Sequence, residues 1–448
     1  PDQNKINYEF MDTNEKNKIA DLVIKHALKC GADQVAMAIN DNSTRRIEIR
    51  EQKIDRLQES IGNSLSVDLY VNKKFSSHST NLLKEKEIMK FIEEAVEATK
   101  YLAEDEFRYL PEKELYYQGK GEDLKTLDPA ITTIDSKTKI DLARAVESEI
   151  FGSDERIISI TSTYFDNVSK VLLADSNGFR GESDSSTAAL AAEVSVKGET
   201  GRPADYWAEY SIFFDKLIKT GIGKKALQRT LRKLNPRKIE SGKYKLLVDN
   251  TVSGNLISPF ISALFGTNLY QKNSFLDGMT DKRVASDLLS FSDDPLIVSG
   301  FGSRCFDMEG LNAIKRPIVE DGVLRNYFIN TYYGRKLKLQ PTSGSTSNLI
   351  YKTGSRNPDE LIKTIDKGIL VTGFNGGNCN GATGDFSYGI EGFFIKNGEV
   401  VHPVNEMNIT GNMKEFWNTL IETGNDPYPY STNQIPSLLF ENADVSGI

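Results

Sequence analysis

Histidine and cysteine are scarce in this chain: 448 residues hold three of each. Cys30, Cys305 and Cys379 are odd in number and far apart, which excludes a disulfide framework. A reducing compartment is the natural setting for such thiols. His26, His78 and His402 stand in separate regions, none with a second His at helical spacing, so no zinc-binding pair can be read from the sequence. Although 39% of the residues are hydrophobic, no apolar run approaches the roughly 18 residues that span a bilayer. Residues 1–18 lack an apolar stretch behind a basic patch, so no secretory segment is expected. The expectation is a cytoplasmic protein without a membrane segment, long enough for two or three domains at roughly 150 residues each.

What is present alternates between two periods. Asp12 and Glu15 read as a capping box opening a helix with Ile19, Leu22, Val23, Ala27 and Cys30 on one face, stopped by Gly31. His26 and Cys30 share that face and read as core residues, because no third ligand is near in sequence. Strands are expected at 35–39, 46–51 and 64–71, the last in strict alternation, followed by a helix marked by Ile88, Phe91, Ile92 and Ala95. Residues 104–128 are polar, aromatic and irregular. A second helix over 135–150 precedes strands at 157–165 and 169–174, joined at Asp166 and Asn167, and another at 187–196. The order resembles the first unit, without a residue-level repeat. The fold class is α+β: antiparallel sheets with flanking helices, then a β-rich C-terminal domain. The expected organisation is an N-terminal region 1–104, a linker or wrapping segment 105–134, a central region 135–238 and a C-terminal domain 239–448. That last domain should contain a hairpin at Asp321-Gly322 and a helix over 416–421.

Net charge is −8, yet residues 216–245 hold eleven Lys or Arg and one acidic residue, Glu240. A nucleic-acid footprint would look like this. Leu217, Leu227, Leu231 and Leu234 instead suggest an amphipathic helix, broken around Gly221 and Gly223, with its charges on a solvated face. Nucleic-acid binding is not expected.

The most informative stretch is 373–412. Seven Gly fall in its first twenty residues, a density suited to φ > 0 or close backbone approach. A hairpin follows: two extended runs, 390–396 and 399–404, around Asn397-Gly398, a type I′ signal. Thr383-Gly384-Asp385-Phe386, the Ile395 to Gly398 turn, Pro403-Val404 and Gly424-Asn425-Asp426 together resemble the C-terminal signature of the TldD/PmbA family, and Gly31-Ala32-Asp33 extends the likeness more weakly toward the start. The resemblance implies a subunit of a two-chain, zinc-dependent peptidase that encloses its peptide substrate, on the PmbA (TldE) side. In the family's metal-bearing subunits an HExxxH helix follows a strand, and a Cys near the chain end completes the site. Here the matching positions are Ser258, Pro259 and Ala263, and no Cys follows Asn425. No zinc or other cofactor is therefore expected in this chain.

The functional expectation is a non-metal-bearing subunit, active only beside a TldD-like HExxxH partner that supplies zinc, itself closing the chamber around an unfolded peptide. An exposed sheet edge could take that peptide by β-augmentation. Asn375, Asn378, Cys379 and Asp385, in the glycine-rich segment read as a loop, are the candidate substrate-facing residues. A Cys379-His402 thiol and base pair lacks a recognisable nucleophile signature, and the glycine-rich segment lacks the phosphate-loop pattern. The alternative is a non-enzymatic homodimeric regulator of the gyrase-modulator type, engaging protein or DNA through the basic stretch.

Overall fold

The computed structural model describes residues 10–119 and 121–447. Residues 1–9, on which part of the reading of a missing secretory segment rests, lie outside them. No helix among the described residues is long and apolar enough to cross a membrane.

Six strands form one antiparallel sheet in the order β3-β2-β1-β4-β5-β6: β1 (Gln34–Arg50), β2 (Lys53–Val71), β3 (Lys74–Thr80), β4 (Ile157–Asp175), β5 (Arg180–Val196) and β6 (Ala204–Ser211). The N-terminal and central regions thus contribute three strands each, and β1 and β4 meet in the middle, Ala36 opposite Asp175 and Ile49 opposite Ser162. Helices α1 (Thr13–Lys29) and α2 (Glu85–Thr99) cover one half; α3 (Ser136–Ser148) and α4 (Ile222–Arg232) cover the other. The cores interlock: β1 sends Ile47 and Ile49 into the second, and β4 sends Leu172 and Ala174 into the first.

Three expectations change here. The segments expected as separate strands at 35–39 and 46–51 are one strand, and 157–174 likewise continues through Asp166 and Asn167. The polar residues that suggested turns pair with each other across the sheet: Asn167 Nδ2 donates to Asn42 Oδ1 at 2.8 Å and to Thr44 Oγ1 at 2.9 Å. A residue-level repeat also exists. Asp12 and Asp135 cap α1 and α3, accepting from Glu15 N and Thr138 N; a buried lysine follows each by four residues, Lys16 and Lys139, and a buried aspartate lies on each following strand, Asp41 and Asp166.

Residues 105–119 run over the C-terminal domain, where the Arg335 guanidinium donates to the carbonyls of Phe107, Tyr109 and Leu110. That domain opens with β7 (Gly242–Val248), α5 (Asn250–Ser262) and α6 (Gly266–Tyr270). A small sheet follows from β8 (Phe291–Asp293), β9 (Arg316–Glu320), β10 (Val323–Leu324) and β11 (Leu349–Tyr351), with α7 (Thr331–Leu337) before β11 and α8 (Pro358–Ile362) after it. The expected Asp321-Gly322 turn joins β9 to β10 with φ of 45° and 75°.

Then come β12 (Lys367–Cys379), β13 (Asp385–Lys396), β14 (Glu399–Asn412), α9 (Met413–Phe416), β15 (Leu420–Thr423), β16 (Asn433–Gln434), which joins the small sheet, and β17 (Leu438–Ser446). The larger sheet runs β14-β13-β12-β7-β17-β15, and β17 also pairs with β14, closing a barrel. Helix α5 is packed between barrel and small sheet: fully buried Phe260 meets Trp417 at 5.8 Å and Phe291 at 6.5 Å. The helix expected over 416–421 is displaced. It ends at Phe416, and the chain passes through a single turn into β15, which pairs with β17.

The glycine-rich segment is a strand rather than a loop as far as Cys379, β12 pairing with β13 through two register shifts. A Cβ on Gly392 would sit 1.9 Å from the Leu370 carbonyl oxygen, and one on Gly377, at φ +109°, would sit 2.1 Å from that of Ser387. Close strand packing accounts for these glycines. The Asn397-Gly398 turn has φ of 53° and 77°, as type I′ requires.

Candidate functional site

Six elements converge on a pocket of about 320 Å³ where the six-stranded sheet meets the barrel, Glu193 of β5 and Glu391 of β13 among its lining. The start of β6 supplies Ala204 to Tyr206, α4 supplies Arg229 and its C-cap Lys233, the first turns of α5 supply Thr251, Val252 and Asn255, and β12 supplies Thr372 to Asn375. Helix α5 is aimed by its N-cap: Asp249 accepts from Thr251 N at 2.9 Å while its own N–H donates to Val371 O of β12. Pro259 lies inside α5 and has no N–H, so the carbonyl of Asn255 loses its ordinary donor one turn on. Asn255 is exposed on the pocket wall.

The floor is a chain of ion pairs. Buried Asp205 receives Lys233 Nζ at 3.1 Å and Arg229 Nε at 3.4 Å, and Lys233 reaches Glu391 of β13 at 2.7 Å. The spacing of Arg229 and Lys233 is one helical turn, which the sequence reading placed on a solvated face. They are pinned instead, because Asp205 on the neighbouring strand points between them. Lys225 lies 3.3 Å from the centre of the Trp207 ring, its pKa lowered by burial against the pull of Glu209. Beyond it, Trp207 Nε1 donates to Glu209 at 2.7 Å, and Tyr430 OH donates to the same carboxylate. Tyr428 is held up to about 12, first by burial and then by its neighbours Tyr206, Tyr210 and Glu209. Tyr206 is 58% exposed on β6, and among the described residues that strand pairs only with β5. The other edge of β6 thus has no strand partner; at its pocket end the Tyr206 N–H donates to Asp205 Oδ1 at 2.8 Å and the Ala204 carbonyl accepts from Lys233 Nζ at 3.4 Å, and Tyr206 and Tyr210 stand along the strand beyond.

The sequence candidates divide. Asn375 is exposed and lines the pocket. Asn378 and Cys379 lie farther along β12, opposite Ser387 and Phe386; the Cys379 thiol is raised by burial and by Asp385. Asp385 is a clasp between strands: it accepts from Thr383 Oγ1 at 2.7 Å and from Asn412 Nδ2 at 2.9 Å, and the Asn412 bond leads in lowering its pKa. Cys379 and His402 do not meet, since their register partners Phe386 and Phe394 are eight residues apart on β13. Ser258 is exposed on α5, Pro259 interrupts its hydrogen bonding, and Ala263, 2% exposed, packs its methyl into the core. The Asp205, Arg229, Lys233 and Glu391 group had one legible signal, the helical spacing of its two cations.

Three family models match in chain order: PmbA/TldA metallopeptidase domain 1 over residues 37–99, the central domain over 129–234 and the C-terminal domain over 241–447. The chain belongs to the PmbA/TldD family. Its relatives include the metalloprotease PmbA homolog of Haemophilus influenzae, 29% identical over 97% of this chain and 96% of that one, and metalloprotease PmbA of Escherichia coli O157:H7, 26% identical over 96% and 97%. A solved Bacteroides thetaiotaomicron structure, described as a modulator of DNA gyrase, shares 46% identity and a TM-score of 0.96 over 98% of this chain and all of that one. TldE from Thermococcus kodakarensis, at 18% identity and a TM-score of 0.85, shares the fold. The pocket of this PmbA/TldD chain lies where the second and third matched segments meet, between α4 on one side and α5 and β12 on the other.

Proposed function

We propose that this chain is the non-metal-bearing, PmbA/TldE-like subunit of a zinc-dependent peptidase acting on unfolded peptides, and that it closes the substrate chamber beside a TldD-like partner. One observation carries the reading: α5 offers a serine hydroxyl, a proline and a buried methyl where the family's metal-bearing subunits are expected to place two imidazoles and a carboxylate. Zinc needs three or four N, S or O donors converging at about 2.0–2.3 Å. Among the described residues no such group of His, Cys, Asp and Glu lies in the C-terminal domain. The residues do not fit the metal.

What this chain contributes is peptide binding. An extended segment laid along β6 beyond Tyr206 would gain main-chain hydrogen bonds from the edge that has no strand partner and side-chain contacts from Tyr206 and Tyr210. Asn255 and Asn375, both exposed on the pocket wall, offer further polar partners. A relative named metalloprotease TldD homolog, from Buchnera aphidicola, is 25% identical over 334 residues, which supports two related kinds of chain within one family.

The test is cleavage of an unstructured peptide by this chain alone and mixed with a co-expressed HExxxH-bearing homologue. Chelator-sensitive cleavage in the mixture only is the expected result. Chelator-sensitive cleavage by this chain alone would overturn the reading, and silence in both would favour the homodimeric regulator. The engagement of Lys225, Arg229 and Lys233 within the chain supports a structural role for this face of α4 over the DNA-binding alternative.

A further inference from the structure

Far from the pocket, α2 brings a third side chain to two that α1 already holds one turn apart. His26 lies on the last turn of α1, Cys30 is the C-cap of the same helix four residues on, and Glu93 projects from α2. The third ligand missing near His26 in sequence is supplied by the neighbouring helix. One donor atom from each of the three lies within 4.8 Å of the others, and His26 Nε2 is 3.0 Å from Glu93 Oε1.

We propose that His26, Cys30 and Glu93 form a binding site for a late first-row divalent transition ion, with Zn²⁺ as the first choice. The donor set is one nitrogen, one sulfur and one oxygen, the ligand types zinc takes. Metal bonds of about 2.0–2.3 Å in a tetrahedron place neighbouring ligand atoms roughly 3.3–3.6 Å apart. The three donor atoms already lie within 4.8 Å of one another, and Glu93, 58% exposed, is the ligand with most room to adjust.

Charge also balances: a thiolate and a carboxylate together neutralise a divalent cation, and the fourth position remains for water. His26 is 9% exposed on the helix that carries Val23 and Ala27 into the core, which limits the freedom of its ring. Binding releases the Cys30 proton and takes the lone pair of an imidazole nitrogen, so affinity falls as pH falls. Burial and Glu93 both raise the Cys30 thiol, whereas a bound cation would invert that effect. Lys29 and Lys100 also face the thiol, and Lys100 is paired with Glu97 at 2.7 Å. The site is separate from α5 and the peptidase reading.

The experiment uses the full chain stripped with chelator. Co²⁺ titration should give a stoichiometric thiolate-to-metal absorption band, competed away by Zn²⁺. Zn²⁺ should slow alkylation of Cys30, followed by peptide mass, while Cys305 and Cys379 in the same molecules react as before. Glu93→Gln, at an exposed position, should weaken Zn²⁺ by at least about tenfold with an unchanged circular dichroism spectrum. Absence of the band, equal protection of all three thiols, or wild-type affinity in Glu93→Gln would overturn the assignment.

Discussion

Asp12, Lys16 and Asp41 in the first half of the six-stranded sheet correspond to Asp135, Lys139 and Asp166 in the second, yet the two halves use the plan differently. In the second, Lys139 Nζ bonds Asp166 Oδ2 at 2.5 Å, both side chains almost wholly buried, and burial lowers the lysine pKa against the pull of that carboxylate. In the first, Lys16 Nζ donates at 3.2 Å to the carbonyl of Lys170, the residue opposite Asp41 in the β1–β4 ladder. Their outer helices diverge too. Helix α2 turns Glu93 toward α1, whereas α4 turns Arg229 and Lys233 toward Asp205 and the barrel. A duplicated scaffold thus holds a small polar cluster between helices on one side and a wall of the proposed peptide chamber on the other.

The comparison can be broken at its lysines. Lys139→Ala leaves Asp166 buried without its counter-charge and should cost about 3–5 kcal/mol of stability by chemical denaturation. Lys16→Ala should cost less, about 1–3 kcal/mol, because its observed partner is a backbone carbonyl. Equal losses would mean that the halves are energetically equivalent. Glu391→Gln weakens the tie between α4 and the barrel; for a partly screened pair the stability change should be about 1 kcal/mol or less. Its sharper readout is cleavage by the mixed subunits, which should fall if α4 forms a chamber wall and stay level if the tie only braces the domains.

The alternation of β2 and the Asn397-Gly398 turn were legible because each is a local rule with a local cause. Strand length was not. Asn42, Thr44 and Asn167 carry turn chemistry, and only their partners across the β1–β4 ladder, about 125 residues away in sequence, convert them into strand residues. The repeat was hidden for a similar reason: three polar positions per unit are too few to show as similarity, and their burial becomes visible only in three dimensions. Glycine richness suggested a loop open to a ligand, whereas Gly377 and Gly392 answer to the backbone of the paired strand. Of the site, Asn375 was found by its neighbourhood in sequence. Asp205 was not, and Glu391 stood out only as one of many carboxylates, since a carboxylate acquires its role here only when α4 is laid across two sheets.

The central β1–β4 ladder also imposes an order of events on synthesis. Ala36 cannot find its partner until Asp175 has emerged from the ribosome. At about 5–20 residues per second, the 95 residues between the end of β3 at Thr80 and Asp175 take roughly 5–20 s. For that interval the nascent first half exposes the flank of β1 as an unpaired edge, the kind of surface that recruits other chains. The strand that later joins the two halves is thus, early in its life, an open edge.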